Sequence, residues 1–448
     1  MSNKPLTLGT KSIGSLLLHY SLPAIIAMTA SSLYNMMDSM FIGHGIGPMA
    51  LAGLSATFPF MNLGAAFGAM VGAGASTVVS VKLGQQDYKS ANHAMGNVIL
   101  LNVAIGLLFM LVSFLFLDPI LYFFGASENT IGYARDYMEV ILAGNIVTHL
   151  YLGLNSVLRS SGHPREAMNV TLLTVALNFV FNYLFVFVLH WGIRGVAIGT
   201  ILAQIVGLSM VMRYFLQPTS VLQLKKEILH FSAKISGQIL SIGLAPFCMN
   251  ALACVVVTLI NTGLKNYGGD MHVAAYGIDN RIVFFFVMMN MGFNQGMQPI
   301  AGYNYGAQKY DRVLEVFRYT MYCVLAFGTL GWVACQFFPE WIVAMFSTDA
   351  ELNALSSYGL RVLTLLLPLI GFQMVCTNLY QSIGKAKIAI FLSTTRQLLF
   401  LIPFLLVLPL YWQTDGIWYS LPMADGLAAL IVGVMIVKLI RELKKQPA

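Results

Sequence analysis

Charged side chains are scarce in this chain of 448 residues. Only 10% of its residues are Asp, Glu, Lys or Arg, whereas 58% are hydrophobic. An ordinary soluble domain carries about 25% charged residues, so this composition argues against a soluble protein. Strict alternation of apolar and polar residues is also missing, which argues against a membrane β-barrel. The apolar runs instead approach the roughly 20 residues that cross a bilayer as a helix.

Other functional signals are missing as well. The eight histidines are scattered singly, which argues against a membrane enzyme with clustered catalytic groups. The polar segment Met1–Lys11 leads into the first apolar run without a cleavage site, so no removable signal peptide is predicted. The five cysteines fall inside predicted spans without metal-like pairing and indicate small core residues: Cys248, Cys254, Cys323, Cys335 and Cys376.

Twelve membrane-spanning helices are predicted. They lie near 14–42, 50–81, 90–117, 131–158, 166–190, 194–215, 235–266, 272–304, 313–338, 353–383, 387–411 and 416–440. With the N-terminus inside, most of the 25 Lys and Arg fall in inside segments and the outside loops are acidic, as the positive-inside rule requires. The protein is therefore predicted to lie in the inner (plasma) membrane, with both termini in the cytoplasm. The basic tail anchors the chain at this surface, and no nucleic-acid binding is predicted despite the net charge of +7.

The two halves of the chain match each other. Leu51–Gly84 aligns without a gap on Val273–Gly306 when it is shifted by 222 positions. A shift of 223 positions places Pro23 on Pro246. Because each copy holds an even number of spans, both copies insert in the same orientation.

This repeat predicts an all-α integral membrane fold. Two bundles of six helices are related by a pseudo-twofold axis along the membrane normal and surround a central cleft. The lobes are predicted over 1–216 and 235–448, with a cytoplasmic linker over 217–234. The lipid bilayer is the predicted environment, and the chain is expected to act as a monomer.

Acidic side chains inside a membrane span are costly and therefore candidates for function. An ion pair with Arg135, one helical turn away, explains Glu139. Asp279 is either neutralised by neighbours such as Arg281 or lines a hydrated cavity. Asp425 either hydrogen-bonds a broken helix or lines the cavity.

Asp38 is the sharpest candidate because no basic residue is near it in the sequence. Tyr34 lies one turn away on the same helix face. Asn178, Asn182 and Thr200 come from spans 5 and 6, and Asn182 and Thr200 are predicted at the same outer depth as Asp38. This set suits a hard cation or a transferable proton, although helix–helix hydrogen bonding is the alternative for the amides. The shift of 223 places Asn opposite Asp38, so at this place the titratable group lies in the first half only.

These residues belong to motifs that resemble the multidrug and toxic compound extrusion (MATE) family. The resemblance runs nearly end to end, and the asparagine-rich span 5 with the carboxylate-free span 7 resembles the DinF-like bacterial branch. The motifs that carry it are Asn35–Gly43, Gly72–Ser76, Leu177–Asn182, Pro299–Ala307 and Gly416–Pro422.

The resemblance implies a multidrug efflux antiporter. It implies export of cationic or amphipathic small molecules, driven by inward H⁺ or Na⁺, with no other cofactor. It implies a coupling site formed by Asp38, Asn178, Asn182 and Thr200, with Tyr34 and Asn155 nearby and Pro23 as a hinge that bends span 1. Asp279, Arg281 and Asp425 are further candidates for the substrate cavity.

One position departs from the family pattern. Relatives often carry Asp where this chain has Asn182. A single carboxylate, Asp38, favours proton coupling, because a tight Na⁺ site gains from a second negative ligand. Na⁺ bound at the same four residues stays the alternative.

Other function classes compete with an exporter. A flippase for lipid-linked saccharides needs a strongly cationic cavity for pyrophosphate, and only Arg281, Arg361 and Arg396 are candidates inside the spans. A uniporter or channel is the third class, against which a buried carboxylate argues because it indicates coupling. A membrane enzyme has no clustered acids or histidines to support it.

Overall fold

The computed structural model describes residues 7–218, 220–346 and 349–445, apart from the side chains of residues 33–36, 43, 44, 48, 226 and 270. The major elements over these residues are helical. The helices of the first half are α1 (Ile13–Gly45), α2 (Pro48–Gly84), α3 (Tyr88–Leu115), α4 (Leu117–Phe123), α5 (Ile131–Ala143), α6 (Asn145–Ser160), α7 (Pro164–Tyr183) and α8 (Gly192–Leu216). Those of the second half are α9 (Ala233–Gly268), α10 (Asp270–Gly306), α11 (Tyr310–Phe337), α12 (Pro339–Ala344), α13 (Ala350–Leu363), α14 (Leu367–Ser382), α15 (Ala386–Thr394), α16 (Ile402–Val407) and α17 (Pro409–Lys445).

The predicted twelve-helix bundle is confirmed, and each predicted span corresponds to a helix or a bent helix pair. Among the described residues, nine helices are long and apolar enough to cross a membrane. The pairs α5–α6 and α13–α14, bent by 54° and 46°, raise that number to eleven. The remaining predicted span is α10, whose 37 residues include many amide and charged side chains.

The backbone repeats at the displacement that aligns the two halves. Residues with left-handed backbone angles, which end or separate helices, recur in corresponding turns. The turn after α2 has a φ of 60° at Gln86, and the turn after α10 has a φ of 59° at Gln308. Gly47 and Gly162 correspond in the same way to Gly269 and Gly384. The internal duplication is therefore present in the turn geometry as well as in the sequence.

The chain forms two compact units whose bounds differ from the predicted lobes. The first unit contains Ile26–Phe247, and the second contains Ser12–Ile25 together with the chain from Cys248 onward. The start of α1 therefore belongs to the second unit, and the start of α9 belongs to the first. The lobe bounds expected at 216 and 235 did not include this exchange, because it depends on where two helices cross and not on where loops fall.

A close helix crossing holds the start of α9 in the first unit. A Cβ atom on Gly74 of α2 would collide with the backbone carbonyl of Ile239. A Cβ atom on Gly243 of α9 would in turn collide with the carbonyl of Met70. Small residues allow membrane helices to approach at backbone contact distance, so the two glycines make this crossing possible.

The same crossing recurs in the second unit, between α10 and the start of α1. A Cβ atom on Gly296 would collide with Ser21, and one on Gly292 would collide with Ile25. Gly296 is the residue that the repeat places opposite Gly74 in the first unit. Both exchanged segments are thus held by equivalent glycine contacts.

The predicted linker packs on α3 through a buried amide. Asn97 is fully buried, and its Nδ2 donates to the carbonyl of His230 at 3.2 Å. Its Oδ1 accepts from the amide of Ser232 and the hydroxyl of Ser236, both at 2.9 Å. The segment that enters α9 is therefore fixed to the first unit.

Charged side chains pair near helix ends. Arg135 donates to Asp118 through two bonds of 2.9 and 2.7 Å. Glu139 pairs with Arg194 at 3.1 Å. The predicted pair of Glu139 with Arg135 is therefore wrong, because contacts between elements replace the pairing within one helix.

Gly243→Ala tests the crossing of α2 and α9. We expect it to lower the free energy of unfolding by about 1–3 kcal/mol, because a methyl group overpacks a backbone contact. Gly237→Ala is the matched control, since a Cβ atom there meets no atom within 4 Å in the same helix. Thermal unfolding of the detergent-solubilised protein measures both. Equal melting temperatures for the two variants would contradict the crossing.

Candidate functional site

Asp38 is buried in α1 and is held by an amide from another helix. Its side chain is 5% exposed, in the part of α1 that belongs to the first unit. Asn182 of α7 donates from Nδ2 to Asp38 Oδ1 at 2.5 Å. No ion pair of Asp38 is found among the described residues, and the side chain that donates to its carboxylate is an amide.

The amide that contacts Asp38 belongs to a directed chain of hydrogen bonds. Asn182 Nδ2 also donates to Asn178 Oδ1 at 3.1 Å, and Asn178 Nδ2 donates to Thr200 Oγ1 at 3.2 Å. The Thr200 hydroxyl donates to the carbonyl of Val196 at 3.0 Å. Because this carbonyl can only accept, the chain fixes the orientation of both amides.

Local helix geometry explains why these side chains meet. Asn178 and Asn182 are one turn apart and therefore lie on one face of α7. A π-helical turn, Leu184–Val188, begins directly after α7, and such turns are frequent at functional sites. Gly199 of α8 has no side chain, and a Cβ atom there would collide with Asn182 Oδ1. α8 can therefore approach the Asn182 side chain closely.

The structure thus brings together Asp38, Asn178, Asn182 and Thr200, the four residues that the sequence analysis proposed for coupling. All four are at least nine-tenths buried. The set places a titratable group at the end of an oriented amide chain. Burial away from water disfavours the charge on Asp38, whereas the donated N–H stabilises it. These opposing effects suit a group that changes its protonation state during function.

Asn155 lies in a separate polar contact. Its Nδ2 donates to Thr171 Oγ1 at 3.0 Å, and Tyr151 donates to the same oxygen at 3.4 Å. Thr171 precedes Asn178 by two helical turns in α7, which is about 10 Å along the axis. Asn155 therefore does not join the hydrogen-bond chain that ends at Asp38.

Two further predicted residues lie in α1. The side chain of Tyr34 lies outside the described residues, so its predicted place beside Asp38 stays a prediction. Pro23 lies inside α1, which is one helix from Ile13 to Gly45. It comes two residues before the point at which α1 passes from the second unit to the first. Its role as a hinge stays a prediction.

Asp425 is paired with a cation that the sequence analysis did not assign to it. Arg396 Nε donates to its carboxylate, and Gln373 donates to its backbone carbonyl at 2.7 Å. Arg396 is the second residue of the π-helical turn Thr395–Leu401. Helical periodicity could not predict this pair, because the two residues are 29 positions apart and Arg396 lies in a π turn. The sequence signal that was available is that both charges lie inside predicted spans.

Asp279 and Arg281 lie on different faces of α10. Asp279 is fully buried and accepts a hydrogen bond of 2.5 Å from Ser356. Arg281 is exposed and forms no ion pair among the described residues. The alternative in which Arg281 neutralises Asp279 is therefore wrong. Ser356 is the partner that sequence reasoning missed.

A site for a multivalent metal is not evident in the part of the chain that the structure describes. No group of three or more His, Cys, Asp or Glu side chains is close enough there to hold a metal ion. The donors around Asp38 are one carboxylate, two amides and one hydroxyl.

The fold and the site define a membrane-spanning helical protein with two repeated units and a buried carboxylate in the first. The MatE family model matches residues 23–184 and again residues 246–407. These two matches cover more than half of the chain and follow the internal repeat. The chain belongs to the MatE family, and the predicted resemblance to that family is confirmed, whereas the DinF-like branch stays a prediction.

Proteins related in sequence agree with this family assignment. The chain is 26% identical over 426 residues to the multidrug export protein MepA of Staphylococcus aureus (strain MSSA476), covering 95% of this chain and 94% of that protein. It is 26% identical over 420 residues to MepA of Staphylococcus haemolyticus (strain JCSC1435), covering 94% and 92%. The chain is thus a multi-pass membrane protein of a family of multidrug efflux transporters that act on small molecules.

The fold matches solved transporters along its whole length. An outward-facing multidrug resistance MATE family transporter of the MOP superfamily gives a TM-score of 0.92 at 22% identity, with 100% of both chains covered. A MATE structure described as bent gives 0.93 over 99% of both chains, also at 22% identity. These likenesses show the fold.

Thr200→Val tests the hydrogen-bond chain. We expect it to lower the free energy of unfolding by about 1–3 kcal/mol, because the buried Nδ2 of Asn178 loses its acceptor. Thr174→Val is the matched control, since its hydroxyl donates to the carbonyl of Val170 at 2.9 Å in its own helix. Thermal unfolding measures both variants. An equal loss of thermal stability in Thr174→Val and Thr200→Val would contradict the proposed chain of hydrogen bonds.

Proposed function

We propose that this protein exports cationic or amphipathic small molecules in exchange for H⁺, with Asp38 as the proton-binding group. One observation carries this proposal. The amide that contacts Asp38 presents an N–H group to it, at 2.5 Å, and belongs to a chain anchored at a backbone carbonyl. The family supports efflux of small molecules, and the site supports the choice of ion.

The orientation of Asn182 favours H⁺ over Na⁺. Hard cations are bound by oxygen ligands, yet Asn182 directs its nitrogen to Asp38 and its Oδ1 toward Gly199. The oxygen of Asn178 already accepts from Asn182. Turning either amide toward a cation would break the chain to Thr200. A proton needs only the carboxylate itself.

The proposed cycle couples two ligands to one equilibrium. Deprotonated Asp38 attracts a cationic substrate into the first unit from the cytoplasm. A proton from outside neutralises Asp38 and removes that attraction, which favours release outside. Each ligand biases the same pair of conformations, inward-open and outward-open. Pro23 lacks an amide donor and permits α1 to bend between them.

The substrate class rests on charge and on the relatives. A lone carboxylate attracts cations, and the relatives named above are described as multidrug export proteins. The 25 methionines and 29 phenylalanines supply adaptable apolar contacts. We place the protein in the inner membrane, as a monomer with both termini in the cytoplasm.

A flippase for lipid-linked saccharides fits the structure less well. Of the three arginines that were candidates to bind pyrophosphate, Arg361 pairs with Glu340 at 2.8 Å and Arg396 pairs with Asp425. Only Arg281 is without an ion pair among the described residues. One free guanidinium is a weak basis for binding a pyrophosphate.

Asp38→Asn tests the proposed coupling. We expect it to abolish uptake of a fluorescent organic cation into everted vesicles driven by an imposed pH gradient, because the amide cannot exchange a proton. Asp87→Asn is the control, since Asp87 caps α3 outside the spans and Asn caps a helix equally well. Retained proton-driven uptake in a folded Asp38→Asn protein would contradict the proposal.

Asn182→Asp tests the choice between ions. It places a second carboxylate against Asp38, which supplies the oxygen ligands that Na⁺ needs. We expect an imposed Na⁺ gradient to drive uptake of the organic cation by this variant. In the unchanged protein, the same gradient should not raise the uptake rate above background. Equal responses to Na⁺ in the two proteins would show that the orientation of Asn182 does not select the ion.

A further inference from the structure

The second unit contains a buried carboxylate, Asp279, that has no counterion in the part of the chain that the structure describes. Asp279 of α10 is fully buried, and its Oδ1 accepts from the Ser356 hydroxyl of α13 at 2.5 Å. Its Oδ2 is also buried and has no hydrogen-bond partner among the described residues. An ionised carboxylate with one oxygen unsatisfied is costly inside a membrane span.

The space around Oδ2 is too small for a drug-sized ligand. A Cβ atom on Gly359 of α13 would collide with Asp279 Oδ2 and would lie 2.6 Å from the ring of Trp418. The Asp279 carboxylate, Gly359 and the edge of the Trp418 ring therefore pack together. Drug-sized ligands occupy pockets of roughly 300–1,000 Å³, whereas a proton on Oδ2 needs no cavity. The packing suits a proton and does not suit substrate.

The charged side chains described on the neighbouring helices do not pair with Asp279. Arg281 of the same helix is exposed and forms no ion pair with any residue that the structure describes. On α13, Arg361 pairs with Glu340. The buried acid of α17, Asp425, pairs with Arg396. The helix α14 carries no charged residue.

Uncharged titratable groups complete the surroundings. Tyr276 of α10 and Cys335 of α11 lie close enough to Asp279 to feel its charge. None of these groups supplies a positive charge. Arg396 also acts on Tyr276, but its charge is directed to Asp425.

We propose that Asp279 is a second proton-binding site, located in the second unit, which carries one proton per transport cycle in addition to that carried by Asp38. This inference rests on the proposed proton coupling. A proton on Oδ2 removes the charge that no counterion among the described residues compensates. Ser356 is a positioning residue, since a hydroxyl can donate to the ionised carboxylate and accept from the protonated one.

The two acids occupy unrelated positions in the repeat. A shift of 222 places Asp279 opposite Thr57. Thr57 is fully buried, and its hydroxyl donates to the carbonyl of Leu54 at 2.7 Å. Each unit therefore carries, at its own place, a buried acid without an ion pair over the described ranges, and each acid can be removed separately.

The proton-to-substrate ratio tests this proposal. Purified protein in liposomes is given a fluorescent organic cation, and the substrate gradient that stops net flux is measured against imposed pH gradients and voltages. We expect Asp279→Asn to lower the ratio by one proton, while its amide oxygen still accepts from Ser356. The same ratio in Asp279→Asn and in the unchanged protein would overturn the proposal.

A second pair of variants decides the matter if Asp279→Asn does not fold. Ser356→Ala removes the donor that stabilises the carboxylate, so the pH dependence of uptake should move to higher pH. Ser357→Ala is the matched control, because the Oγ of Ser357 is buried without a hydrogen-bond partner among the described residues. Equal pH profiles for the two variants would overturn the proposal.

The two proposals fail in different ways. If the unchanged protein shows no proton coupling, the proposed function fails and this inference fails with it. If the unchanged protein is proton-coupled and Asp279→Asn keeps its full ratio, only the inference on Asp279 fails.

Discussion

The hydrogen bond between Asn182 and Asp38 is the interaction on which this account depends. A carboxylate inside a membrane span has no water to stabilise its charge. Here a single amide does so, and that amide is oriented by Asn178 and Thr200. The contact stabilises the ionised form, and no described residue supplies a counterion, so gain or loss of one proton changes the net charge of these described side chains between −1 and 0. Efflux coupled to H⁺ requires such a group.

The frame around this site comes from the duplication. Equivalent left-handed turns and equivalent glycine crossings recur in both halves. The polar chemistry does not repeat, since the first unit holds Asp38 with its amides, and the second holds Asp279 with Ser356 and the pair of Asp425 with Arg396. Duplication fixed the helices and their crossings, and the buried charges differ between the two copies.

Much of this was predictable from sequence because membrane helices follow simple rules. Span length predicted Asn182 and Thr200 at the depth of Asp38, and helical periodicity predicted Asn178 one turn from Asn182. The partners of Asp279 and Asp425 were not predictable, because they depend on how each helix rotates about its axis. A π turn changes that rotation without a sequence signal, as at Arg396. The exchange of Ser12–Ile25 was also hidden, since hydropathy reports span length and not the neighbours of a span.

Substrate affinity measured against pH, with no gradient imposed, tests the central claim most directly. If Asp38 must lose its proton to attract a cation, the Kd of a cationic dye falls as pH rises. The slope approaches about tenfold per pH unit where one proton is released on binding, and this dependence is lost in Asp38→Asn. A Kd in the unchanged protein that does not vary with pH would contradict the account.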